Sequence, residues 1–294
     1  MALFQISNDR ITIQVDSMGA ELKSLKEVSS DREYMWHGDP QYWKRTSPVL
    51  FPLVGGIKDG VYRVDGTDYP MGQHGFARDM EFQLKSQVAQ EIWFTLESDE
   101  DTLRRYPYPF VLELGYELAD TTVIVKWRVR NTAKERMYFS IGGHPAFLCP
   151  ITEGTKQSDY GIRFDAKEKV VSSCLENGLV SGKTITYTLQ NGMLPVTEHL
   201  FDGDALIIEH DQAHRASLVT PDGGDYLTVE FDAPLFGIWS PPGKQAPFIC
   251  IEPWYGRCDR ADYAGEWKER EWMQSLNAGE TFAADYKITI GRIS

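Results

Sequence analysis

Along most of its length the sequence falls into short segments in which apolar and polar residues alternate, set apart by turn residues. A period of two puts alternate side chains on opposite faces of a strand, so each segment reads as a strand with one buried face. Arg10 to Val15 has this pattern, and Met18-Gly19-Ala20-Glu21 turns into a second strand, Leu22 to Val28. Val61 to Tyr69 predicts a hairpin turning at Asp65-Gly66. Ile92 to Leu96 is a strand, and Phe110 to Leu118 with Thr122 to Arg130 predicts an antiparallel pair joined by Ala119-Asp120-Thr121. Met137 to Ile141, Leu206 to Glu209, Ala216 to Thr220, Tyr226 to Phe231, Leu235 to Ser240, Phe248 to Ile251 and Thr281 to Ile290 continue the series. The stretch from Thr152 to Gly192 is polar, rich in Gly and Ser, with short strands. Only Glu97 to Tyr106 suits a helix, with Ser98 as its cap and Pro107 as its stop. Many short strands and one helix predict an all-β sandwich.

With 42% hydrophobic and 12% aromatic residues, the 294-residue chain has ample material for a large core. All-β sandwiches and barrels often reach roughly 200–250 residues as one domain. No repeat or linker divides the sequence, so one domain over residues 1–294 is expected. The 30 basic and 43 acidic residues leave a net charge of −13. Nucleic acid and anionic membranes both call for a basic surface, so the balance argues against either as a partner. A phosphorylated small molecule held by a local cationic pocket stays compatible with it. Cys149, Cys174, Cys250 and Cys258 include no CxxC spacing and read as free thiols in a reducing compartment. The first ten residues lack a basic start followed by an apolar run, and no apolar run approaches the ~20 residues of a membrane span. A cytoplasmic protein is expected.

Three separated motifs carry candidate chemistry. Ser140-Ile-Gly-Gly-His-Pro-Ala-Phe147 follows a strand and presents His144 between two glycines, which free the backbone, and Pro145, which favours an extended residue before it. Gln73-His-Gly-Phe-Ala-Arg78 places His74 in a loop between Gly72 and Gly75. Phe248-Ile-Cys-Ile-Glu-Pro-Trp254 places Glu252 at the end of an apolar strand, where partial desolvation makes a carboxylate more basic. Asp204 opens a further strand. Ser47 to Gly56 holds two prolines and is expected to be an irregular buried segment. His210 and His214 stand four apart but fall between strands, and there is no HExxH or Cys-His cluster, so no metal site is expected.

Together the motifs around His74, His144 and Glu252 resemble the aldose 1-epimerase (galactose mutarotase-like) superfamily, and most closely its LacX-type branch, which is also similar to hexose-6-phosphate epimerases. The resemblance spans nearly the whole chain, from Gly19-Ala-Glu-Leu22 onward. It implies a large antiparallel β-supersandwich in a single domain, with a sugar site on one concave sheet. It implies that His144 is the general acid, Glu252 the general base and His74 a partner of the ring oxygen. Asp204 matches an acidic residue that binds sugar hydroxyls, and Arg78 matches an arginine of the sugar-phosphate branch. Arg45, or Lys44, supplies a further cation. The Asn-Arg segment of true galactose mutarotases has no counterpart near Gly55 to Gly60, which weighs against free galactose as substrate. The implied activity is interconversion of hexose anomers by acid–base ring opening, with neither metal nor cofactor. A hexose-6-phosphate 1-epimerase and a non-catalytic sugar-binding or regulatory protein on the same scaffold are the alternatives. Trp36, Phe147 and Trp239 are candidates to stack on a sugar face, and core packing accounts for them equally well.

Overall fold

In the computed structural model, which describes residues 2–293, the alternating segments become two large sheets whose strand pairings are all antiparallel. One sheet has nine strands and is centred on Phe110–Ala119, Thr122–Asn131 and Thr281–Ile290. The other has eight strands. Its order runs from Leu179–Thr188 through Lys169–Glu176, Leu206–Glu209, Leu235–Trp239 and Phe248–Tyr255 to Ile141–Gly143 and Val49–Leu50. Ala146–Leu148 pairs beside Ile141–Gly143 on the same strand, Phe248–Tyr255.

The period-two pattern sorts side chains between the two faces of the eight-stranded sheet. Ile249 and Ile251 join Phe236, Ile238, Val125, Trp127, Tyr286 and Ile288 in the core between the sheets. The intervening Cys250 and Trp254 point the other way, into two smaller clusters. Glu252 lies between those clusters on that second face, where the site is built.

Leu206–Glu209 and Thr281–Ile290 hold to the residue, and the hairpin Val61–Val64/Thr67–Pro70 turns at Asp65-Gly66 and runs one residue further than expected. Others need correction. The helix is shorter, Glu100–Arg105, and its cap is Asp99, not Ser98. Asp99 accepts the Thr102 N–H while the Thr102 hydroxyl accepts the Asp99 N–H, a reciprocal pair that satisfies two free donors of the first turn. Ser98 instead accepts the Phe110 N–H. The middle region carries strands of eight and ten residues, Lys169–Glu176 and Leu179–Thr188, which turn at Asn177-Gly178 with positive φ at both. The Phe248–Tyr255 strand runs on through Glu252 and Pro253 instead of ending at Ile251. Ser47 to Gly56 is irregular and largely buried, as expected, apart from the two-residue strand Val49–Leu50. Among the described residues no helix is long and apolar enough to cross a membrane.

Candidate active site

The register of one strand pairing brings two distant motifs together. Gly142 faces Trp254 and Ala146 faces Cys250 in a single antiparallel alignment, which places His144 opposite Glu252. Residues directly opposite in an antiparallel pair project to the same face with their Cβ atoms about 5 Å apart. The imidazole Nε2 accordingly lies 3.3 Å from Glu252 Oε2. The His144 backbone is tied on its other side, its N–H donating to Pro48 O at 3.1 Å. The preceding glycines serve this geometry by having no side chain, not by unusual φ: a Cβ on Gly142 would stand 2.6 Å from the Trp254 indole, and one on Gly143 would stand 2.9 Å from the Tyr286 hydroxyl. Gly237, opposite Glu252 on the neighbouring strand, makes room for the same indole.

His74 arrives from a loop. Its φ of 65° is left-handed, and its N–H donates to Gly55 O at 2.8 Å. The following Gly75 is needed because a Cβ there would meet Phe51 O at 2.2 Å. The Gly55 N–H donates to His74 Nδ1 at 3.1 Å, so Nδ1 carries no proton and Nε2 carries it. The ring stands edge-on to His144, with centroids 5.5 Å apart.

All six residues singled out in the sequence line one cavity of about 510 Å³: His74, His144, Glu252, Arg78, Asp204 and Arg45. That volume falls in the range of small-molecule sites. Lys44 lines it too. Trp43, Trp239 and Trp254 supply aromatic walls. Trp43 stacks on the His144 ring at 4.6 Å, and Trp239 meets it edge-on at 5.5 Å. Of the aromatics named from sequence, Trp239 reaches the cavity. Trp36 and Phe147 are core residues, Trp36 stacked on Phe248 with its indole N–H donated to Trp43 O. Trp254 had a signal in the sequence, two positions from Glu252 on the same strand face. Trp43 had a weaker one, the aromatic-rich pair Tyr42-Trp43, whose composition suits a pocket wall as well as the cover of a sheet end.

Electrostatically the cavity is divided. Burial lifts the Glu252 carboxyl well above the ordinary range, against the pull of the Trp254 indole, and Asp204 adds to the rise. Burial, with Arg78 and Arg45, holds His144 well below its ordinary value. His74 is likewise held down by burial, His144 and the two arginines. Burial thus favours the uncharged forms, a protonated Glu252 and neutral imidazoles. Glu252 Oε2 and His144 Nδ1 are buried with no hydrogen-bond partner, and Glu252 is 1% exposed. Buried groups normally find partners, so both atoms are available to a ligand that enters the cavity. Facing them, Arg45 pairs with Asp79 at 2.9 and 3.2 Å, and Arg78 donates to Gln73 O at 2.6 Å. Burial and Arg45 lower Arg78 to about 10. Asp204, at φ 76°, folds its carboxylate onto the Ala205 N–H.

Comparison with known proteins gives a consistent result. A family model described as aldose 1-epimerase matches residues 2–289. The chromosomal LacX protein of Lactococcus lactis subsp. lactis is 30% identical over 97% of this chain and 98% of its own length. A galactose mutarotase related enzyme from Lactobacillus acidophilus superposes with a TM-score of 0.94 at 32% identity, covering 99% of this chain and 98% of the other. A galactose mutarotase-like protein from Lactobacillus casei gives 0.90 at 29%, covering 99% and 100%.

Proposed function

This chain belongs to the aldose 1-epimerase family and is of its LacX type, and from that premise we propose that it interconverts the α and β anomers of a hexose by opening and closing the sugar ring. The observation that carries the reading is the buried pair His144 and Glu252, 3.3 Å apart in register on a cavity wall. Ring opening takes a proton from the anomeric hydroxyl and gives one to the ring oxygen. The C1–ring oxygen bond breaks as the anomeric oxygen becomes a carbonyl. Glu252 as carboxylate takes the first proton and His144 as imidazolium gives the second. Rotation about C1–C2 then presents the other carbonyl face, and closure reverses both transfers.

The pair holds one mobile proton throughout. After ring opening it sits on Glu252 beside a neutral imidazole, the arrangement that burial favours. Closure returns that proton and regenerates the ion pair; in the empty site, passage of the proton from Glu252 to Nε2 sets up the same pair. His74 keeps its Nε2 proton and hydrogen-bonds the ring oxygen through it, steadying the charge that develops there. Asp204 accepts from sugar hydroxyls, and the Trp43 and Trp239 rings shape the apolar side of the pocket. Each positioned proton transfer supplies roughly 10²–10⁴-fold, or about 3–5 kcal/mol of barrier. That is enough for a reaction whose uncatalysed barrier is modest.

The cationic wall favours a second reading, a hexose 6-phosphate as substrate. Lys44, Arg45 and Arg78 border the cavity, and Asp79 faces both arginines. Arginine forks suit phosphate oxygens. NMR exchange spectroscopy or polarimetry on a panel of free and 6-phosphorylated aldoses tests both. Faster anomer exchange than in buffer, lost in Glu252→Gln, supports the enzyme reading. No acceleration with any sugar, or full activity in Glu252→Gln, refutes it. A higher rate on the phosphate ester selects the second reading. Tight binding without turnover selects a sugar-binding protein.

A further inference from the structure

The fold brings a third donor to the histidine–glutamate pair. Cys250 precedes Glu252 by two positions in the Phe248–Tyr255 strand, so both side chains leave the same face. It lies opposite Ala146 on one neighbouring strand and Trp239 on the other. One donor atom each of His144, Cys250 and Glu252 lies within 4.8 Å of the other two, and all three residues are buried. The carboxylate oxygen Oε2 of Glu252 has no hydrogen-bond partner. Spacing along the chain gives no hint of this set, because strand register creates it.

An imidazole nitrogen, a sulfur and a carboxylate oxygen are the donors that Zn²⁺ takes in its tetrahedral sites, with bonds of about 2.0–2.3 Å. Such bonds set donor separations of about 3.3–3.7 Å, and His144 and Glu252 already stand 3.3 Å apart. Three protein donors leave a fourth position, as in zinc sites open to small molecules. Mg²⁺ and Ca²⁺ prefer all-oxygen shells and fit poorly. We propose that His144, Cys250 and Glu252 form a binding site for a thiophilic divalent cation such as Zn²⁺, reached through the cavity that His144 and Glu252 line, with the Cys250 sulfur behind them.

Binding displaces the thiol proton of Cys250 and the carboxyl proton of Glu252 to solvent, so affinity rises with pH. The bound cation ties up both proton carriers. Zn²⁺ is therefore a reversible inhibitor of any proton transfer they perform, and a chelator restores the free pair. The inference goes beyond the sugar reading, and its test does not depend on turnover.

Co²⁺, titrated into the purified full chain near neutral pH, is the optical probe. The expected result is a thiolate-to-cobalt charge-transfer band that saturates at one equivalent and is abolished by added Zn²⁺. Cys250→Ser removes the band and weakens Zn²⁺ binding by more than about 100-fold, since losing a ligand costs more than losing an outer-shell partner. Cys250 lies behind the cavity wall, whereas Cys258 lines the cavity and is the rival thiol. Cys258→Ser leaves the band in place. Absence of a band in the wild-type protein, or a band that survives Cys250→Ser, overturns the proposal. Anomalous scattering at the zinc edge from soaked wild-type crystals tests it without any variant. A peak among the three side chains supports it, and a peak elsewhere or none overturns it.

Discussion

Two glutamates are buried on the eight-stranded sheet, and their surroundings are opposite. Glu209 ends the Leu206–Glu209 strand, with Oε1 accepting from Arg257 Nε and from the Trp272 indole N–H, each at 2.7 Å. Its Oε2 accepts from the Ser173 hydroxyl. Burial raises its affinity for a proton, but these donors and the Arg257 charge outweigh burial, and Glu209 is held below the ordinary carboxylate range. Glu252, two strands away, faces an imidazole instead of a guanidinium, and burial holds it well above the ordinary carboxylate range. Glu252 is the more deeply buried of the two and has fewer donors, so burial dominates there while pairing dominates at Glu209, a difference that suits the proton-carrying role proposed for Glu252.

The largest expected effect separates the two roles. Glu252→Gln lowers the anomer exchange rate by roughly 10²–10⁴-fold, while folded Glu209→Gln retains the wild-type rate. Anomeric NMR exchange on both variants measures this, and equal losses would erase the distinction. Next comes stability. Glu209→Gln removes one of the two carboxylates paired with buried Arg257, leaving Glu271, and costs about 1–3 kcal/mol, read by denaturant unfolding, whereas Glu252→Gln does not destabilise at neutral pH.

Third is the dependence on pH. Above the ordinary carboxylate value the unfolded chain releases the Glu252 proton and the folded one keeps it, so this residue lowers stability as pH rises. Glu252→Gln should match the wild type in mild acid and exceed it by up to about 1.4 kcal/mol per pH unit above that. His74 and His144 work at the other end. Their folded values lie below the unfolded value, so the unfolded chain gains protons first and stability falls as pH drops below about 6.5. Thermal unfolding across pH checks both limbs. The smallest effect belongs to His74→Asn, which weakens one neutral hydrogen bond to the ring oxygen and slows exchange by about tenfold.

The contrast between the two glutamates was only partly legible in the sequence. Alternation located most strands, because a half-buried sheet imposes it. It failed at Gln83–Val88, an edge strand whose residues are all exposed, so that no burial pattern marks it. It also failed at Pro253, where a proline suggested that the strand had ended. The motifs around His74, His144 and Glu252 pointed to residues that do share a cavity. What placed them there was not legible: the alignment setting His144 opposite Glu252, the Trp43 ring on His144, and the indole of Trp254 lying over Gly142. These are long-range pairings. The glycines before His144 were visible, yet their reason is steric room for Trp254 and Tyr286 and not backbone freedom. Glu209 drew no notice, since Arg257, Ser173 and Trp272 come from other parts of the chain.

Difference infrared spectroscopy of the carboxyl groups tests the proton on Glu252 most directly. At neutral pH the wild-type protein is expected to show the carbonyl stretch of a protonated carboxylic acid that disappears in Glu252→Gln and persists in Glu209→Gln. A spectrum without that stretch, or one in which it vanishes with Glu209, would contradict the account.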